Sequence, residues 1–190
     1  MTLYSVVLFV HVVSAMGIFA ALSLEAVSLL RLRSAITASE ARLWMDLAPG
    51  LPALGIGSFV FMLLSGILMT TQSSEWTLAW PRVAMGALIL IAPLGAVTSR
   101  RMRAIRAARA AHEPRESDLI AMLRDPFLKF SINIRIALVL GIVLLMTAKP
   151  ELRESLGIVV SSAFLGFVST VFGGVTPNRR SPAPNPGNER

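Results

Sequence analysis

The chain contains no cysteine, which excludes disulfides, thiolate metal sites and CxxC redox chemistry. Histidine occurs only twice, at His11 and His112, so no zincin motif can be built. No glycine-rich phosphate loop is present either, because the glycines of GIGSF (55–59) sit inside an apolar run with no lysine after them. Charge is also scarce: Asp, Glu, Lys and Arg make up 15% of the residues, against about 25% in ordinary soluble domains. Any chemistry falls to the few polar groups embedded among apolar side chains.

Apolar side chains dominate instead, at 54% of 190 residues, and the mean hydropathy is +0.67. They are gathered into five long runs: 3–30, 51–71, 82–99, 130–148 and 156–175. Crossing a hydrocarbon core of about 30 Å takes roughly 17–25 apolar residues in a helix, and each run is long enough. The expected fold is therefore all-α, a polytopic transmembrane bundle over 1–175. A basic loop (100–129) interrupts it, and a polar tail (176–190), with no apolar anchor, is expected to be disordered. The first run has no basic residue before it and Arg31 and Arg33 just after it. That is the reverse of a signal peptide's charge order, so this run is expected to stay as a helix of the mature chain.

Charge sets the expected orientation. Fifteen of the 18 Lys and Arg residues fall in or beside the first and third connections and the tail, and three (Arg82, Lys149 and Arg153) on the opposite side. The positive-inside rule then puts the N-terminus outside and the C-terminus in the cytoplasm. Trp76 and Trp80, beside Glu75, suit the outer interface. Pro81 and Pro150 read as first-turn prolines of the third and fifth helices, and Asp125–Pro126 as an N-cap and N1 pair for the fourth. Pro93 is expected to kink the third.

The third connection, RRMRAIRAARAAHEPRESDLIAMLRD, is expected to continue the third helix as far as a break at His112–Pro114, with Ser117 capping a short further helix. Its seven arginines suit anionic lipid headgroups, at about 1 kcal/mol per basic residue near the surface. They do not suit nucleic acid, since no aromatic residues alternate with them for base stacking.

Two pairs of observations single out candidate site residues. Glu25 lies six residues before Arg31, and Arg135 six after Lys129, so both sit about 9 Å inside the basic boundary. A Glu25–Arg135 ion pair, with Asn133 nearby, would remove much of the roughly 2.5–3.5 kcal/mol cost of a charge within a span. The alternative is that each snorkels separately to the headgroups. His11 is the second case. Fourteen helical residues separate it from Glu25, which leaves the two about 21 Å apart and within about 40° of one face. Ser14, Ala15, Ile18 and Leu22 continue that inward stripe. Met69, Thr70, Met85, Met146 and Thr147 are expected at the level of His11. An imidazole with thioethers can hold haem iron or copper; the alternative is a histidine hydrogen-bonded to a neighbouring helix among gap-filling methionines. Two haem-ligating histidines within one chain are excluded, because His112 falls on the cytoplasmic side.

The early His11, Gly17, the basic exit RLR (31–33) and a fourth span ending TAKP (147–150) resemble the membrane families around HemJ-type protoporphyrinogen oxidase and the copper-resistance CopD domain. That resemblance implies a helical bundle in the bacterial inner membrane, with the early histidine as a haem b ligand in the HemJ type. The aromatic, Pro–Arg-rich end of the HemJ first span has no counterpart here, so only His11 as a ligand carries over.

In the fifth run Ser162, Gly166, Thr170 and Gly174 recur every fourth residue, a small-residue stripe that admits a close neighbour. The expected partners are the second helix, through Ala53 and Gly57, or a second copy of the chain. Three function classes follow. The first is a non-catalytic membrane component or accessory subunit. The second is a haem-binding redox protein using His11. The third is a copper, ion or small-solute carrier using His11 with Met69, Met85 or Met146.

Overall fold

The structure, a computed structural model, describes residues 2–34, 50–111 and 125–172. Five long helices account for nearly all of them: α1 (Leu3–Ser34), α2 (Leu51–Gln72), α3 (Ala79–Ala111), α4 (Pro126–Ala148) and α5 (Leu152–Phe172). A single 3₁₀ turn, Glu75–Thr77, joins α2 to α3. All five helices are long and apolar enough to cross a membrane. Phe9, Met16, Phe61, Val160, Phe164 and Phe172 stand on the outside of the bundle, each more than half exposed. That much bare apolar surface is a liability in water and ordinary against lipid. The chain is a multi-pass membrane protein.

Successive helices run antiparallel, so the molecule has two ends. The indole end carries Trp76, Trp80 and the start of α1. The arginine end carries Arg31, Arg100, Arg101, Arg103 and the start of α4. Helix α4 is the spine: Leu128, Ser131, Leu138 and Leu145 are almost wholly buried along it. It packs on α5, on α3 and, over a shorter length, on α1, while α1 lies chiefly on α2.

Local sequence explains the ends. Asp125 caps α4, its carboxylate accepting from the Phe127 N–H at 2.8 Å, and Pro126 follows as the first helical residue. Lys149 ends the helix in the left-handed region (φ 48°), its N–H reaching the Leu145 carbonyl. Pro150 comes next and lies ahead of α5, not in its first turn as the sequence suggests, because α5 begins only at Leu152. The Ser155 hydroxyl donates to the Pro150 carbonyl and closes this turn. Trp80 belongs to the first turn of α3, while Trp76 stays in the connecting turn and donates to the Thr71 hydroxyl.

Helix α3 runs unbroken through Pro93 and beyond the membrane span to Ala111. Its 33 residues make a rod of about 50 Å, well over the roughly 30 Å of a hydrocarbon core. The break expected at His112–Pro114, the helix expected after Ser117 and the tail 176–190 lie outside the described residues.

The small-residue stripe of α5 faces α4, which corrects the expectation of a partnership with α2. A Cβ on Gly166 would lie 2.8 Å from the Ile134 Cα and 3.0 Å from the Asn133 carbonyl, and Gly141 of α4 makes the reciprocal space for Ser162. Gly57 has nothing within reach of such an atom, and Ala53 is exposed. The Thr170 hydroxyl accepts from the Asn133 amide at 3.3 Å, and its carbonyl accepts from Lys129 at 2.7 Å. Asn133 therefore serves the α4–α5 contact instead of standing beside the Glu25–Arg135 pair. Gly174 lies outside the described residues. The residue small enough for α1 and α2 to meet is Gly17, whose bare Cα faces Ser58.

Candidate functional site

Two cavities lie between the α1–α2 pair and α3–α4, one toward each end. The indole-end cavity, about 290 Å³, brings together His11 of α1, Met62 and Met69 of α2, Met85 of α3 and Met146 of α4. Thr70 shares this lining. Thr147 does not: it is exposed and its hydroxyl donates to the Val143 carbonyl.

His11 is half-buried, and its Nδ1 lies 3.0 Å from the Ser65 hydroxyl of α2. The hydrogen bonds around Ser65 assign the donor. The Ser65 hydroxyl has one proton and commits it to the carbonyl of Phe61 at 2.6 Å or of Met62 at 3.1 Å. Its oxygen is then left to accept, an arrangement that calls for the tautomer with the proton on Nδ1 and the lone pair on Nε2. The Met62 backbone carbonyl is a further hydrogen-bond partner of the ring. The ring lies over Gly66, next to Ser65, where a Cβ would just touch the His11 Cε1 at 3.4 Å. An imidazole oriented by hydrogen bonds to a neighbouring helix is how proteins prepare a metal-ligating histidine.

Ser65 and Met62 are absent from the expected set, yet a depth count reaches them. His11 is eight residues from the start of α1 and Ser65 seven from the end of α2, so both lie roughly 11–12 Å inside the same face. Met62, Ser65 and Met69 then recur at i, i+3 and i+7 on one helix face.

The mouth of this cavity is polar. Tyr4, Glu75, Trp80 and Lys149 line it. Lys149 Nζ is 4.0 Å from Glu75 Oε1 and 5.5 Å from the centre of the Trp80 ring. At that distance and exposure the ion pair contributes little. The Trp80 Nε1 is buried with no acceptor among the described residues.

The arginine-end cavity is larger, about 410 Å³. Glu25 and Arg135 meet on its wall, with Arg135 Nη1 donating at 2.8 and 2.9 Å to the two carboxylate oxygens. Both side chains are at least three-quarters buried, so each offsets the other's desolvation. The guanidinium lies against Gly95 of α3, where a Cβ would be in ordinary contact at 3.5 Å from Cζ. Nη2 makes no hydrogen bond among the described residues, and Nε is buried without one. Arg100 and Arg103 stand at the cavity mouth. Leu88 lines both cavities and is the one described residue they share.

Among the described residues no three His, Asp or Glu side chains converge to hold a metal. The soft donors that line the indole-end cavity are one imidazole and four thioethers. Soft, neutral donors of this kind suit a soft monovalent ion better than calcium, magnesium or manganese, which take oxygen ligands. Comparison with models of protein families, with curated proteins and with solved structures finds no match to this chain.

Proposed function

We propose that the chain is a non-catalytic component of the bacterial inner membrane that holds copper(I) in its indole-end cavity, facing the outside. The observation that carries this reading is one cavity lined from four helices by the His11 imidazole and the thioethers of Met62, Met69, Met85 and Met146. Charge selects the oxidation state. No carboxylate lines the wall beside the sulfurs, and the one at the mouth, Glu75, faces Lys149. A divalent ion would enter this apolar site without anionic compensation, at a far greater desolvation cost than a monovalent one. Thioether ligands need no deprotonation, and a neutral imidazole with its proton on Nδ1 offers Nε2 directly, so binding requires no group in the cavity to lose a proton.

A second reading, haem b ligated through His11 Nε2, draws on the same lone pair. The cavity volume counts against haem, because about 290 Å³ is at the bottom of the roughly 300–1,000 Å³ usual for organic ligands. One preparation separates the two. Protein purified in mild detergent and loaded under reducing conditions is expected to hold one copper per chain and show no Soret band. His11→Ala, or Met69→Leu with Met85→Leu, loses the copper. A Soret band abolished by His11→Ala would replace copper with haem; a colourless chain that takes up no copper refutes both.

A further inference from the structure

We infer that the arginine-end cavity is a binding slot for one anionic phospholipid, its phosphate at Arg100 and Arg103 and its acyl chain running inward toward Leu88. The walls of this cavity follow the length of a single leaflet. On α3 it extends from Arg103 to Leu88, and on α1 from Leu32 to Ile18, or about 21–22 Å at 1.5 Å per residue. Half of a bilayer of about 40–45 Å, headgroups included, is the same distance.

Polarity along the slot is graded in the order a lipid requires. Arg100 and Arg103 occupy the mouth; Ser99 and Thr98 come next; Ile91, Phe59 and Leu88 form the deep end. Among the described residues that line the slot, Arg100, Arg103 and Arg135 are set against the single carboxylate of Glu25. Glu25 takes up Arg135 Nη1 only. Among the described residues neither mouth arginine has a carboxylate partner, and Arg103 reaches the Ser99 carbonyl at 3.4 Å. A phosphate diester supplies the missing negative charge at the mouth. The ester carbonyls that follow it in a glycerolipid supply acceptors at the depth of Arg135 Nη2. A free phosphate would satisfy the mouth and leave the apolar length of the slot unfilled.

Native mass spectrometry of the full chain, released from detergent with phosphatidylglycerol or phosphatidylcholine of identical acyl chains, tests this. Retention is expected to favour phosphatidylglycerol by roughly ten- to thirty-fold, given two basic residues at the headgroup. Arg100→Gln with Arg103→Gln should abolish the preference while weak retention of both lipids persists. Ala92→Trp, which fills the slot from its α3 wall, should lose both lipids without lowering the unfolding temperature. Excess inorganic phosphate should leave the phosphatidylglycerol adduct in place. Equal retention of the two lipids, indifference to both sets of substitutions, or displacement by inorganic phosphate overturns the proposal. Copper loading does not enter any arm, so the outcome is independent of the indole-end site.

Discussion

At the arginine end α4 is tied to each helix it packs against by polar side chains. Arg135 holds Glu25 of α1, Ser131 shares a 2.8 Å hydrogen bond with Thr98 of α3, and Lys129 and Asn133 both reach Thr170 of α5. Arg101 also pairs with the capping Asp125 and lies over the Phe127 ring at 4.3 Å. At the indole end the polar ties among the described residues are the neutral His11–Ser65 bond between α1 and α2 and the long Glu75–Lys149 pair between two connecting turns. One end is braced by charge, and the other is filled with methionines, whose unbranched thioethers adapt to what they surround. The difference shows how a small bundle can keep its helices in register at one face while leaving a compliant, soft-donor chamber at the other.

The strongest way to break this contrast is to remove the brace. Glu25→Ala leaves Arg135 buried without a partner and is expected to destabilise the protein by about 3–5 kcal/mol, whereas replacing the pair together, Glu25→Leu with Arg135→Met, should restore most of the loss. Chemical unfolding in micelles measures it, and a single variant no worse than the double would remove the pair from its bracing role. Next in size is Gly166→Leu, which sets a side chain against the α4 backbone and should cost about 1–3 kcal/mol by overpacking. The same change at Gly57, where space is open, should leave the unfolding curve nearly in place.

At the compliant end the sharpest effect falls on the ligand and not on stability. Ser65→Ala releases His11 Nδ1 and is expected to weaken copper(I) binding by about ten- to a hundred-fold, as loss of an orienting partner does elsewhere. Competition with a chromophoric copper(I) chelator reads this out; unchanged affinity would mean the serine does not set the imidazole. Smallest of all is Thr98→Val, which removes one buried hydroxyl bond at the braced end and should cost about 0.6 kcal/mol.

Depth along a helix is a one-dimensional quantity, and the sequence states it openly. Counting inward from Arg31 and Lys129 levels Glu25 with Arg135, and their side chains meet at that level. Counting from the other face gathers His11, Met69, Met85 and Met146, which line one cavity. The five helices are equally legible, since long apolar runs admit few other folds. Which helix lies beside which is not written in the same way. The stripe Ser162–Gly166–Thr170 announces a close contact without an address, and it is the complementary gap at Gly141 that directs it to α4. Asn133 is misplaced for the same reason: its depth is right for Arg135, but its azimuth turns it toward Thr170. Neither cavity is visible before the helices are assembled, because each is a property of the space left between four of them.

Leu88 forms the party wall between the two chambers. A change at this position is therefore registered twice: trimming it to alanine opens both rooms and thins the barrier between them. Enlarging it to phenylalanine must crowd at least one. Among the described residues no other position gives a single substitution access to both sides of the protein.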